Sequence, residues 1–132
     1  MTPQQTEILV GILRGRTVAA LGTLQGGAPS VSMAPYVFLP DGSRVVIHVS
    51  TLSAHTRNLL ADGRVGLLIM DAEGDGIPAQ GLPRISLQGE AQVLTAGTAE
   101  YDAAKATYLA RFPDAAMLFD LEGFRLFEIR PT

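Results

Sequence analysis

The residues best suited to chemistry in this chain lie where an apolar strand ends and a polar segment begins. Hydroxyl side chains come first, at Ser50 and Ser53, and the basic residues His55 and Arg57 follow. This spacing places them around the start of a short helix predicted over 53–61. Backbone N–H groups and the positive end of a helix dipole favour an anion at such a place. The sequence therefore predicts a phosphate-binding site here.

Each candidate residue also has a plain structural explanation. Ser53 can simply cap the helix, with the polar side chains after it facing solvent. His48 lies inside the preceding apolar strand, where a histidine is either a ligand or a core residue. Arg84 opens a strand after a flexible loop, and it either reaches a phosphate or ring oxygen or lies solvated at the strand end. His48 and His55 match no standard zinc spacing, so we expect no zinc site, while haem ligation by either histidine stays open.

Composition limits the class of protein. The 132 residues predict one domain over 1–132, and 47% hydrophobic against 17% charged residues argues against disorder. A net charge of −3 with dispersed basic residues predicts no nucleic-acid partner. Neither a signal peptide nor a membrane span is evident, so we expect a cytoplasmic protein without membrane contact. The high apolar content predicts a homodimer that covers exposed apolar surface.

Motifs for several common chemistries do not occur in the sequence. The chain has no cysteine, which excludes thiol nucleophiles and thiolate metal sites. It also has no dinucleotide fingerprint, Walker loop or nucleophile elbow, and no evident strong general base. We therefore expect that a bound cofactor supplies any difficult chemistry on a small-molecule substrate.

Periodicity and turn residues predict an α+β fold. Six strands joined mostly by short turns, with three helices attached, favour a six-stranded antiparallel barrel with peripheral helices. Within it, Pro35 argues for an edge or bulge, and Gly89 for a bulge. The predicted strands cover 18–24, 30–38, 45–49, 64–70, 84–94 and 124–129. The predicted helices cover 3–13, 53–61 and 98–112, with one more turn at 114–118 and a loop over 71–83.

The most specific sequence pattern in the chain runs from His48 to Leu68. It combines a strand, a helix start with serine and basic residues, and a helix-to-strand passage of the form N-x-x-x-x-x-R-V-x-L-L. In this pattern, and over nearly its whole length, the chain resembles the pyridoxamine-5′-phosphate-oxidase-like, FMN-binding split-barrel superfamily. Further segments resemble the haem-utilisation branch of that superfamily: residues 29–36, 83–89, 106–115 and 124–127.

The resemblance implies a six-stranded split barrel that forms a homodimer, with FMN sites at the subunit interface. It places Ser53 and His55 on the family's phosphate-binding serine and lysine. Ala54 stands where the oxidase has an arginine, and Arg57, one turn further on, compensates for it. With Ser50 added, these residues make up the expected phosphate site.

Other implied ligands lie on strands. His48 and Val49 fall at the strand end that lines the isoalloxazine ring and the ribityl chain, and Arg84 replaces a glutamine near the flavin. The strand that cradles the flavin ring corresponds to Ser30, Ser32 and Met33.

The leading hypothesis from the sequence is an FMN-binding flavoprotein, related to pyridoxamine 5′-phosphate oxidase and acting as an oxidoreductase on a small substrate. A haem-binding or haem-trafficking barrel without catalysis, using His48 or His55 as axial ligand, is the first alternative. A relative that binds deazaflavin F420 and a barrel kept only as an interaction scaffold are the others.

Overall fold

A single curled sheet of seven antiparallel strands forms the body of the protein. The computed structural model describes residues 2–132. The strands are β1 (Val18–Gln25), β2 (Ala28–Pro35), β3 (Val37–Phe38), β4 (Val45–Ser50), β5 (Arg64–Met70), β6 (Arg84–Val93) and β7 (Phe124–Pro131). Their order across the sheet is β2-β1-β5-β6-β7-β4-β3. The predicted α+β split barrel is confirmed, with seven strands in place of six.

The additional strand arises because the predicted strand over 30–38 bends at Pro35 and Tyr36. Before the bend, β2 pairs with β1, and after it β3 pairs with β4 at the other end of the sheet order. Pro35 has no backbone N–H to continue a ladder, and Tyr36 instead donates its N–H to the carbonyl oxygen of Thr17 at 3.1 Å. One continuous run of sequence thus spans the split between the two sheet edges.

Three helices cover the sheet, and each lies where the periodicity predicts it. They are α1 (Pro3–Gly15), α2 (Ala54–Ala61) and α3 (Ala99–Arg111), with 3₁₀ segments at Ala79–Gly81 and Pro113–Asp120. Thr2 and Gln5 form a reciprocal capping box at the start of α1, and the Thr98 hydroxyl caps α3. No helix within residues 2–132 is long and apolar enough to cross a membrane.

Two apolar cores hold these elements together. The first lies inside the curl of the sheet and is closed by α1 and α2. The second lies on the opposite face of β4 and β7, under α3. Buried residues of the first are Ile12, Ala19, Leu21, Ala34, Tyr36, Val45, Ile47, Val49, Leu59, Val65, Leu67, Ile69, Ala91, Phe127 and Ile129. Those of the second are Val37, Val46, Ala104, Tyr108 and Leu126. Because both faces of β4 are covered, its residues from Val45 to Val49 are all buried.

The bulge predicted at Gly89 is wrong. The pairing of β6 with β5 and with β7 runs through this position without an extra residue. A glycine is needed for another reason, because a Cβ atom at position 89 would lie 2.5 Å from the backbone oxygen of Arg130. Close approach of two strands, and not an interrupted ladder, explains this residue.

Candidate functional site

The turn before α2 is held by hydrogen bonds within the chain. The Ser50 hydroxyl accepts the Leu52 N–H at 3.1 Å, and the Thr56 hydroxyl donates to the Ser50 carbonyl oxygen at 2.5 Å. Ser53 is the N-cap residue with extended backbone, but its hydroxyl makes no capping bond. The helix start therefore has the predicted shape, with the Ser53 hydroxyl free to contact a ligand.

Arg57 reaches back over the same turn. Its guanidinium donates to the carbonyl oxygens of Thr51 and Leu52, at 3.4 and 3.1 Å. Its side chain is exposed, so these contacts are made at the protein surface. In this arrangement Arg57 braces the turn before α2.

Ser32 on β2 and His55 on α2 form the closest side-chain contact in the predicted site. The Ser32 Oγ and His55 Nδ1 atoms lie 2.8 Å apart, within hydrogen-bond distance. Burial lowers the pKa of His55 below its usual value, which favours the neutral imidazole. A bond that engages Nδ1 leaves Nε2 as the ring nitrogen available to a ligand.

The residues predicted on β2 divide between its two faces. Ser30 and Ser32 pair with the buried Thr23 and Leu21 of β1 and share their inward face. Met33 lies on the other face and is 59% exposed. Of the proposed ring cradle, therefore, the two serines lie on the inward face, where Ser32 contacts His55 of α2, and Met33 lies on the outward face.

His48 lies in a different environment from His55. It occupies the opposite face of β4 from the first core, only 8% exposed, with its ring stacked on Phe119 at 3.7 Å between centroids. Phe124 and Tyr108 complete the aromatic surroundings, at 5.1 and 5.8 Å. Burial, followed by the charge of Lys105, lowers the pKa of His48 to about 4. These contacts are those of a packed core histidine.

Two more predicted site residues do not join this group. Val49 is buried in the first core. Arg84 lies at the start of β6, two strands removed from β2, and its guanidinium donates to the carbonyl oxygens of Gln80 and Leu82 at 3.4 and 3.3 Å. Within one chain, the structure groups Ser32, Ser50, Ser53, His55 and Arg57 around the N-terminus of α2, whereas Ser30 lies one step along β2, opposite Thr23.

Sequence reasoning missed one polar contact in this group. Asn58 on α2 donates from Nδ2 to the Thr23 hydroxyl on β1 at 3.0 Å, and both side chains are buried. A signal for it existed, because Asn58 follows His55 by three residues and so lies on the same side of the helix. Its partner, 35 positions earlier in the chain, has no local signature.

A comparison with known proteins finds a relative that matches most of this chain. The chain is 33% identical over 123 residues to the chloroplastic non-canonical haem oxygenase HOZ of Arabidopsis thaliana, covering 91% of this chain and 36% of that protein. The chain thus spans about a third of the length of this relative.

Solved structures share the fold. A haem-binding protein from Mycobacterium smegmatis is 29% identical with a TM-score of 0.82, over 100% of this chain and 53% of that one. HutZ, a haem storage protein of Vibrio cholerae, has a TM-score of 0.85 at 23% identity, over 98% of this chain and 89% of that one.

The match to a family covers almost the entire chain. Residues 6–132 match the family described as pyridoxamine 5′-phosphate oxidase. This range includes every strand of the sheet and the whole group of polar residues around α2. The chain therefore belongs to the pyridoxamine 5′-phosphate oxidase family.

Proposed function

We propose that this protein binds haem beside the N-terminus of α2, with His55 as the iron ligand. The Ser32–His55 hydrogen bond carries the proposal. Iron-ligating histidines present one ring nitrogen to the metal while the other donates its hydrogen to a neighbouring acceptor. In the tautomer that carries its hydrogen on Nδ1 and donates it to the Ser32 oxygen 2.8 Å away, His55 has a lone pair on Nε2 for the iron.

The surroundings of His55 fit an apolar, planar group. Burial favours the neutral imidazole, which is the form that ligates a metal. Leu52, at the tip of the neighbouring turn, is 88% exposed, and a bound macrocycle would cover it. A haem-binding protein among the relatives supports haem as the ligand.

His48 is the weaker ligand of the two histidines. Its ring is stacked on Phe119 and its Nδ1 atom is buried without a hydrogen-bond partner. Phe119 covers one face of the His48 ring, so a group approaching that face would have to displace the 113–120 segment.

FMN is the second candidate, and one observation favours it. The Ser53 hydroxyl makes no bond at the N-terminus of α2, where a phosphate would also meet backbone N–H groups. Against it, Arg57 already donates to two carbonyl oxygens, and His55 is bonded to Ser32. A flavin phosphate would therefore meet fewer free donors than the sequence predicts, and for this reason haem is our first choice.

The outer face of the sheet supports a homodimer. Val18, Val31, Met33 and Met70 are exposed on it, by 41, 77, 59 and 46%. Of these residues, Val31 lines a groove of about 470 Å³ that crosses β1 and β5 at Gly22 and Gly66. We propose that a second copy of the chain packs on this outer face. Strand β2 would then contact His55 through Ser32 on its inner face and form part of the dimer interface with its outer face. Val31→Lys should leave a 14.0 kDa species in sedimentation at micromolar concentration, and an undisturbed dimer would contradict this assignment.

Haemin and FMN titrations of the purified protein test the ligand. We expect a Soret band for the wild type and for His48→Phe, which keeps an aromatic ring in the stack. His55→Ala should weaken haemin binding at least tenfold, about 1.4 kcal/mol, and Ser32→Ala should weaken it by roughly ten- to a hundredfold. Equal affinity in wild type and His55→Ala would overturn the ligand assignment.

The FMN arm distinguishes the two candidates. Ser53→Ala should leave haemin affinity unchanged under our proposal. If instead the protein quenches FMN fluorescence and takes up no haemin, and Ser53→Ala weakens that binding, the flavin assignment replaces the haem assignment. Uptake of neither ligand would contradict both.

A further inference from the structure

A buried pair of polar side chains joins α2 to the sheet. Thr23 is 3% exposed and Asn58 is 7% exposed, and Asn58 Nδ2 donates to Thr23 Oγ1 at 3.0 Å. Apolar side chains surround this region, including Leu21 of β1 and Leu59 of α2. A polar pair in such a place needs an explanation other than hydrophobic burial.

The position of the Thr23–Asn58 pair relative to His55 supplies an explanation. On α2, Asn58 follows His55 by three residues, so the two side chains are neighbours on one helix face. On the sheet, Thr23 pairs with Ser30, and Ser32 is the next residue of β2 on the same face. The Asn58–Thr23 and His55–Ser32 contacts therefore attach one face of α2 to two adjacent strands at two points.

The two contacts are coupled through the rotation of the helix. Packing of Leu59 in the first core is non-directional and tolerates a small turn of α2 about its axis. A hydrogen bond between buried groups does not tolerate such a turn, because the Asn58 amide would lose its bond to the Thr23 hydroxyl and remain buried. Because His55 and Asn58 lie on one face of α2, a rotation that moves His55 away from Ser32 also displaces Asn58 relative to Thr23.

We infer that Thr23 and Asn58 are positioning residues, which set the rotation of α2 and so hold the His55 ring against Ser32. The inference deepens the proposed function, on which its biological meaning rests. Neither side chain is required to touch a ligand, and both act through the helix that carries His55.

The test uses ligand-free protein and reads the His55 ring directly. Thr23→Val removes the hydroxyl and keeps the shape of the side chain, whereas Thr23→Ser keeps the hydroxyl. Tyr36→Phe is the matched control, because it removes another hydrogen bond of a buried side chain, from the Tyr36 hydroxyl to the Leu13 carbonyl oxygen, which involves α1 and not α2. Nitrogen-15 spectra of the imidazole then report whether His55 has one tautomer or exchanges between two.

We expect one tautomer, with the hydrogen on Nδ1, in the wild type, Thr23→Ser and Tyr36→Phe, and a mixture in Thr23→Val. A folded Thr23→Val protein with the wild-type tautomer would overturn the inference. If that variant fails to fold, the double variant Thr23→Val/Asn58→Leu removes both polar partners and leaves no unpaired amide. We expect a mixture of His55 tautomers in this double variant as well. Because no haem is present, failure of haem binding and failure of this inference are separate results.

Discussion

The buried His48 predicts a specific loss of stability in mild acid. Its pKa is lowered to about 4 in the folded protein, mainly by burial and secondly by Lys105. In the unfolded chain the pKa returns to about 6.5. Below pH 6.5 the unfolded state therefore binds a proton that the folded state does not, and stability falls as the pH decreases from 6.5 towards 4.

The size of the effect follows from these two values. At pH 5 the unfolded state gains a factor of about 30 from protonation of this one group, which corresponds to about 2 kcal/mol relative to pH 8. This is a measurable fraction of the roughly 5–15 kcal/mol that stabilises a typical domain. The ring of Phe119, stacked on His48 at 3.7 Å between centroids, is part of the enclosure that causes this burial.

Urea unfolding of the wild type and His48→Phe at pH 8 and pH 5 is the assay. The wild type should lose about 2 kcal/mol more than His48→Phe across this interval. His55, whose pKa burial also lowers, is present in both proteins and contributes equally to each. If both proteins lose the same free energy, His48 is not held neutral in the fold and our account of its environment is wrong.

Two further changes test the packing by urea unfolding at neutral pH. Gly89→Ala should destabilise the protein by about 2 kcal/mol or more, because the new Cβ would lie 2.5 Å from the Arg130 backbone oxygen. The control is Gly11→Ala in α1, where there is open space around the glycine, and this change should be neutral or stabilising. Equal effects of the two substitutions would contradict the argument. Arg44→Met should cost about 2 kcal/mol or more by leaving the buried Glu128 carboxylate without its ion-pair partner. Replacing both residues, as Arg44→Met/Glu128→Leu, should restore most of that loss, and a double variant as unstable as the single one would show that the pair is not coupled.

Local patterns were sufficient to predict most elements of this fold, but not the short strand β3. The strand over 64–70 has the predicted bounds, and α2 begins one residue after its predicted start because Ser53 is the N-cap. Alternation and turn residues act over a few positions, so they are visible in a single sequence. The division of the predicted 30–38 strand was less visible, because it depends on which strands lie at the two edges of the sheet.

The candidate site was predictable in part, and its residues show where the limit lies. Ser50, Ser53, His55 and Arg57 are close in sequence and lie close in the structure for that reason. Ser32 reaches His55 only because the sheet curls β2 towards α2, a contact across 23 positions. Arg84 is not brought to Ser32 in this way, because β1 and β5 separate its strand, β6, from β2.

The two histidines also could not be distinguished from the sequence alone. As residue types His48 and His55 are equal candidates for an iron ligand, and burial lowers the pKa of both. What separates them is the partner of each ring: aromatic rings enclose His48, whereas a hydroxyl oxygen meets Nδ1 of His55. An enclosed ring is fixed by its packing, but a ring with one nitrogen bonded and the other available is prepared for a metal. The choice between them therefore depends on tertiary contacts to Phe119 and Ser32, which no local pattern around either histidine contains.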